Sequence, residues 1–278
     1  MPVCDHRAVV IARNVFRRDG VRLDDVACRH GRGRGRLEAT RDTYGIVFVR
    51  RGCFVRSADG AESVVDPTVA YCMNAGVEER FDHPHDDGDD CTAMLLDHDV
   101  AASLWGGEHG LPSGPVRTAP EVDLEHRLLL AAARRGADPD ELFERAVVLA
   151  ARTLEHADPR RVASGRPATE RARRLLSDGA REALADDADR TLPDLARELA
   201  VSPHHLSRVF RAVNGHTISR HRMRLRARIA MERLAGGDHD LARLAADLGF
   251  ADQSHLCRVV RAETGRTPSV LRAALAAF

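Results

Sequence analysis

A chain of 278 residues with 44% hydrophobic content is long enough for two domains with ordinary cores. It has no apolar run long enough to cross a membrane and no signal-peptide pattern at MPVCDHRAVV, so a cytoplasmic protein without a membrane partner is expected. Its 42 basic and 42 acidic residues cancel overall, but residues 169–278 hold 19 Arg against 14 acidic residues, leaving the rest of the chain acidic. The six Cys (Cys4, Cys28, Cys53, Cys72, Cys91, Cys257) show no CxxC spacing, which predicts free thiols.

Residues 1–118 read as β-rich. Gly45–Val49 and Cys53–Ser57 have strand composition, the turn Ala58-Asp59-Gly60 follows, and Glu62–Val65, Thr68–Met73, Glu78–Phe81 and Cys91–Leu96 are further short strands. Many short strands at this spacing predict a small barrel or jelly roll. The Gly- and Arg-rich stretch His30–Arg36 reads as a loop. In Phe81–Cys91, two imidazoles and a carboxylate (His83, His85, Asp89) are a donor set suited to Fe, Mn, Ni or Zn, while Pro84 and the acidic run suit a solvated loop. Cys53, Cys72 and Cys91 suit either buried positions or a thiol or metal sensor.

Residues 119–157 read as two helices. Leu124, Leu128, Leu129, Ala131 and Ala132 mark the first; Asp138-Pro139 opens the second, with Leu142, Ala146, Leu149 and Ala150 on one face. Such stripes either pack on the chain's own barrel or mediate dimerisation. Residues 158–168 have linker composition, and Glu170–Leu184 begins the last domain, 169–278, with Ala172, Leu175 and Leu176 expected to face its core.

That last domain contains one pattern twice, LARELAVSPHHLSRVFRAVNGHT from Leu195 and LAADLGFADQSHLCRVVRAETGRTP from Leu244. Leu206, Arg208, Val209, Arg211 and Gly215 recur as Leu256, Arg258, Val259, Arg261 and Gly265, with the second turn one residue longer. Each copy predicts helix, tight turn, helix. Thr191 with Asp194 makes a capping box; Ser202 caps before Pro203, and Gly215 stops the helix. In the second copy Asp240 and Asp252 cap, and Gly249 makes the turn. This is the helix-turn-helix unit, whose second helix fits a DNA major groove. Between the copies, Thr217–Leu234 contains no Gly or Pro and predicts a rod of about 27 Å, against about 34 Å between successive major-groove faces. The shortfall predicts that the DNA bends toward the protein or that one helix sits less deeply. Arg220, Arg224 and Arg228 share one face of the rod, either solvated or against phosphate.

The tandem units, Gly249-Phe250 at the second turn and the closing Gly265, Thr267, Pro268 and Arg272 resemble the AraC/XylS-type transcriptional regulators over about residues 169–274. Val260 departs from that pattern, which usually has Phe there. The resemblance implies an α+β chain with a cupin-like effector barrel and dimerisation helices, then an all-α tandem helix-turn-helix domain. It also implies a sequence-specific regulator that binds double-stranded DNA, RNA polymerase and a small-molecule effector, as a homodimer. Helices 203–213 and 252–263 would read two successive major-groove segments. Base contacts map onto His204, Ser207, Arg208, Gln253, Ser254, His255, Cys257 and Arg258, and phosphate contacts onto Arg211, Thr217, Arg220, Arg224, Arg228, Arg261 and Thr267. The pair His83 and His85 also resembles the metal motif of cupin enzymes, with Asp89 where that motif has Glu. No catalytic residue stands out and no cofactor is certain; the chain is expected not to be an enzyme. A metal- or thiol-sensing regulator, or a cupin-type metalloenzyme fused to a DNA-binding module, are the alternatives.

Overall fold

The computed structural model describes residues 9–29, 33, 37–39, 43–86, 88–105, 110–157 and 167–276. The loop expected at His30–Arg36 lies largely outside them. The chain divides into two compact units, residues 1–157 with 274–278 and residues 158–273.

The N-terminal unit is built from strands β1 (Val9–Arg18), β2 (Val21–Arg29), β3 (Leu37–Ala39), β4 (Tyr44–Arg51), β5 (Phe54–Ala58), β6 (Ala61–Val65), β7 (Val69–Met73), β8 (Glu78–Asp82), β9 (Asp89–Leu96) and β10 (Val116–Arg117). Its helices are α1 (His98–Trp105), α2 (Pro120–Arg134) and α3 (Pro139–Glu155). The strands form a six-stranded sheet, β1-β2-β9-β4-β7-β10, and a four-stranded sheet, β3-β8-β5-β6. The chain changes sheet at the β2–β3, β3–β4, β4–β5, β6–β7, β7–β8 and β8–β9 connections, the arrangement of a jelly roll. Of the two forms expected, barrel or jelly roll, the second is found: two antiparallel sheets that, among the described residues, do not close into one ring.

β4 is buried almost throughout because its sheet is a middle layer covered on both faces. Ile46 and Phe48 join Met94 and Leu96 of β9, Val122 and Leu129 of α2, and Leu142, Ala146, Leu149 and Leu154 of α3 in one core. Val47 and Val49 face the other way, into a core shared with Phe54, Val65, Tyr71 and Cys91. The apolar stripes of α2 and α3 are thus covered by the chain's own sheet. A polar network lies under α2: Arg50 donates to Asp25 at 2.6 Å, Arg127 donates to the Arg50 carbonyl at 3.2 Å, and Arg134 reaches Asp25 at 2.6 Å. The His126 ring stacks on Phe48 with centroids 4.8 Å apart.

The C-terminal unit is helical: α4 (Pro167–Asp186), α5 (Leu192–Glu198), α6 (Pro203–Asn214), α7 (Ile218–Ala235), α8 (Leu241–Asp247), α9 (Gln253–Thr264) and α10 (Pro268–Leu275). Its first core gathers Ala180, Ala183, Leu184, Leu195, Leu206, Phe210, Ile218 and Leu225, with Leu176 at its edge. Ala172 and Leu175 do not face that core: both are exposed, Leu175 at 58%. The stripe of α4 that turns toward α5 and α6 begins one turn later, at Leu176, and continues through Ala180, Ala183 and Leu184.

Candidate nucleic-acid interface

Each copy of the repeat is fixed locally by its caps. The Asp194 amide donates to the Thr191 hydroxyl at 3.3 Å, and the His205 amide to Ser202 Oγ at 3.2 Å. In the second copy Asp240 Oδ1 accepts from the Ala242 and Arg243 amides at 3.1 and 3.0 Å, and Asp252 from the His255 amide at 2.6 Å. These bonds satisfy amides that the first turn of a helix leaves unpaired. Gly215 and Gly265 end α6 and α9 in the left-handed region, at φ 75° and 70°. The turns themselves need a positive φ, supplied by Ala200 at 53° and by Gly249 at 65°. Four residues separate α5 from α6 and five separate α8 from α9, so the extra residue of the second turn lies before its cap.

An offset of 50 residues then superposes the faces of the two second helices. His204, Arg208 and Arg211 are exposed and Ser207 is half-buried; with Ala212 these residues line one open concavity on α6. On α9 the same places hold Ser254, Arg258 and Arg261, exposed, and Cys257, half-buried, with Gln253 exposed at the first position. His255 occupies the place of His205. It is half-buried, its ring meets Phe250 edge-on at 5.4 Å, and its Nδ1 accepts from the Ala251 amide at 3.4 Å, which braces the turn. Thr217 and Thr267 sit before the next helices, where their hydroxyls accept from the Arg220 and Val270 amides at 3.2 and 3.5 Å.

The arginine stripe of α7 requires a correction. Arg228 is buried, 3% exposed, and so does not meet a phosphate. Arg224 is half-buried with Nε 3.8 Å from Glu263, and Arg220, still exposed, pairs with Glu263 at 2.5 Å. Glu263 of α9 is itself buried. Arg224 and Arg228 face inward where α7 packs against α9, and the Glu263 carboxylate offsets the cost of burying Arg224, while Arg220 stays at the surface. Arg226, which the spacing did not single out, is buried on α7 and donates to the Gly249 carbonyl at 2.6 Å. It also pairs with Asp189, fastening the second turn to the segment before α5. Gly249 has φ 65°, and a Cβ there would lie 2.5 Å from Asp189 Oδ1 and 2.7 Å from an Arg226 guanidinium nitrogen, so a side chain would be strained by φ and would displace this ion pair.

Of the metal candidates in the N-terminal unit, His83 and Asp89 come together, Nε2 to Oδ2 at 2.8 Å. His85 is not in that cluster; Cys28 takes the third place. Sequence spacing could not reveal this, since Cys28 reaches Asp89 across the β2–β9 ladder. Burial first, then the Asp89 carboxylate, pushes the Cys28 thiol up to about 12. Burial likewise raises Cys72 to about 12 and Cys91 well above the usual thiol range, with Asp89 adding to the effect at Cys91. Cys53 is buried as well.

Comparison with known proteins gives one match to a family, a helix-turn-helix domain, over residues 195–274. No curated protein matches the chain. Among solved structures, similarity extends to ToxT from Vibrio cholerae O395, with 9% identity over 96% of this chain and 98% of that one and a TM-score of 0.36. The C-terminal domain of AraT, a response regulator from Geobacillus stearothermophilus, is 23% identical over 40% of this chain and 88% of its own, with a TM-score of 0.30. The cupin domain of Schizosaccharomyces pombe Cnp3 is 7% identical over 36% and 74%, also with a TM-score of 0.30. No helix among the described residues is long and apolar enough to cross a membrane. The C-terminal unit carries a helix-turn-helix domain, in which the helix-turn-helix unit occurs twice.

Proposed function

We propose that the chain regulates transcription by placing α6 and α9 in two successive major-groove segments of one duplex. The observation that carries this reading is the match, place for place, between the exposed polar faces of the two helices, each behind a capped helix-turn-helix and joined by the uninterrupted α7. Base reading falls to His204, Ser207 and Arg208 on one helix and to Gln253, Ser254, Cys257 and Arg258 on the other, with His255 as a brace. Arginine bridges guanine O6 and N7, and glutamine bridges adenine N6 and N7. Arg211, Arg261, Arg220, Thr217 and Thr267 lie on or beside the same elements and serve the backbone. The N-terminal unit supplies the regulation, by a small-molecule effector that binds one state of the protein better than another. A homodimer and contact with RNA polymerase complete the reading.

Footprinting on selected operators tests it. Protection should span two adjacent helical turns. Arg208→Ala and Arg258→Ala should each relax preference at a different base position by about 1–3 kcal/mol. Arg211→Ala should weaken all sites alike and reduce the salt slope by about 1. Protection of a single turn, or identical loss of specificity at the same base in both arginine variants, would sink the two-groove assignment.

A further inference from the structure

We propose that Cys28, His83, Asp89 and Cys91 form a site for one thiophilic divalent cation of the zinc class. Cys28 lies near the end of β2, directly opposite Asp89 at the start of β9. His83 follows β8, and its backbone is held to Gly33 by two hydrogen bonds of 2.9 and 3.0 Å. One donor atom from each of Cys28, His83 and Asp89 lies within 4.8 Å of the other two. Cys91, two residues along β9, already donates to Asp89 Oδ1 at 3.1 Å. All four side chains are buried, none more than 7% exposed.

The donor chemistry selects the ion. Thiolate, imidazole and carboxylate are the ligands zinc takes in four-coordinate sites, whereas calcium and magnesium need more oxygens than this cluster offers. Bonds of about 2.0–2.3 Å in a tetrahedron set donor atoms roughly 3.3–3.8 Å apart. Cys28, His83 and Asp89 lie within 4.8 Å of one another, and Cys91, held to Asp89 at 3.1 Å, would turn toward them to complete the set. Gly88 has φ 64°, and a Cβ there would lie 2.2 Å from the Cys28 carbonyl. Gly88, next to Asp89, thus lies close against the backbone of β2 at Cys28.

On binding, the Cys28 and Cys91 thiols each release a proton to solvent as their sulfur–metal bonds form. His83 exchanges its hydrogen bond to Asp89 for a bond through Nε2, and Asp89 gives one carboxylate oxygen. The ion would tie β2, β8 and β9 together at one end of the jelly roll. The competing arrangement is a purely hydrogen-bonded cluster in which His83 and the thiols satisfy Asp89. This site lies within the N-terminal unit and is independent of the DNA-binding reading.

The test uses the full chain purified without a polyhistidine tag. Elemental analysis should find about one zinc per chain. After chelator treatment, cobalt titration should produce thiolate-to-cobalt charge transfer and tetrahedral ligand-field bands. Cys28→Ser and His83→Gln should each weaken cobalt binding by about 100-fold or more. Cys72→Ser, a buried thiol outside the cluster, should leave binding unchanged. Absence of a charge-transfer band in the unsubstituted protein would overturn the proposal whatever the variants do. So would a band that survives in the Cys28→Ser, His83→Gln double variant, or one abolished by Cys72→Ser.

Discussion

In the first helix-turn-helix copy the buried aromatic ring belongs to the second helix, as Phe210; in the second it is Phe250 and belongs to the turn. The two turns are comparable because the Val201 amide bonds the Ala196 carbonyl and the Phe250 amide bonds the Ala245 carbonyl, both at 2.9 Å. Val201 is half-buried where Phe250 is buried, and Phe210 and Val260 are both fully buried. The second copy thus buries valine on its second helix and phenylalanine at its turn, the reverse of the first. Interiors demand filled volume, and the backbone path constrains the source of that volume less tightly.

The copies also differ in how they are anchored. α6 is tied to α4 by Asn214, which donates to Ser177 Oγ at 2.6 Å above an apolar core. α9 is tied to α7 by the carboxylate of Glu263 among arginines. The first turn tolerates Ala200 at positive φ, while the second has Gly249 beneath Arg226 and Asp189. Both copies bury apolar side chains, and the second adds the Glu263 carboxylate among arginines, which has no counterpart at Asn214 of the first.

The largest expected effect breaks the apolar anchor. Phe210→Ala should cost about 3–5 kcal/mol, read as the denaturant transition of the C-terminal unit. Converting the first copy toward the second, Val201→Phe with Phe210→Val, should cost less than Phe210→Val alone; an additive or larger loss would show that the aromatic position is not exchangeable. Next, Glu263→Ala leaves Arg224 without its carboxylate in a half-buried site and should cost about 3 kcal/mol, with amide exchange accelerated in α9 more than in α6. Uniform acceleration in both helices would contradict separate anchoring. Gly249→Ala should cost about 2 kcal/mol or more, combining the left-handed penalty with the close approach to Asp189 and Arg226. The mirror change, Ala200→Gly, is the smallest effect: a gain of up to about 1 kcal/mol as the same penalty is relieved. A loss there would mean that the first turn is not strained.

The helix-turn-helix copies were legible because their signals are local. A cap, a proline after it and a positive-φ turn act within four or five residues, so Thr191, Ser202, Asp240 and Asp252 could be assigned from the chain alone. The β-rich character of residues 1–118 was legible for the same reason, as alternation between turn signals. The arginine face of α7 was not. Periodicity says that Arg220, Arg224 and Arg228 share a side, but only the element packed against that side determines whether it meets water, phosphate or Glu263.

The sequence by itself determined the short strands between Gly45 and Leu96, where the second helix of each helix-turn-helix copy starts and stops, and which of their positions correspond; β1, β2, β3, β10 and α1 were not read from it. Tertiary structure alone decided that the strands make two sheets instead of a ring, that Arg228 is buried, that Arg226 clamps the second turn, and that Cys28 joins His83 and Asp89. Hydrogen bonds between near neighbours are written into adjacent residues. Ladder register and helix-on-helix packing join residues such as Cys28 and Asp89, whose separation along the chain carries no trace of their closeness until the fold removes the water between them.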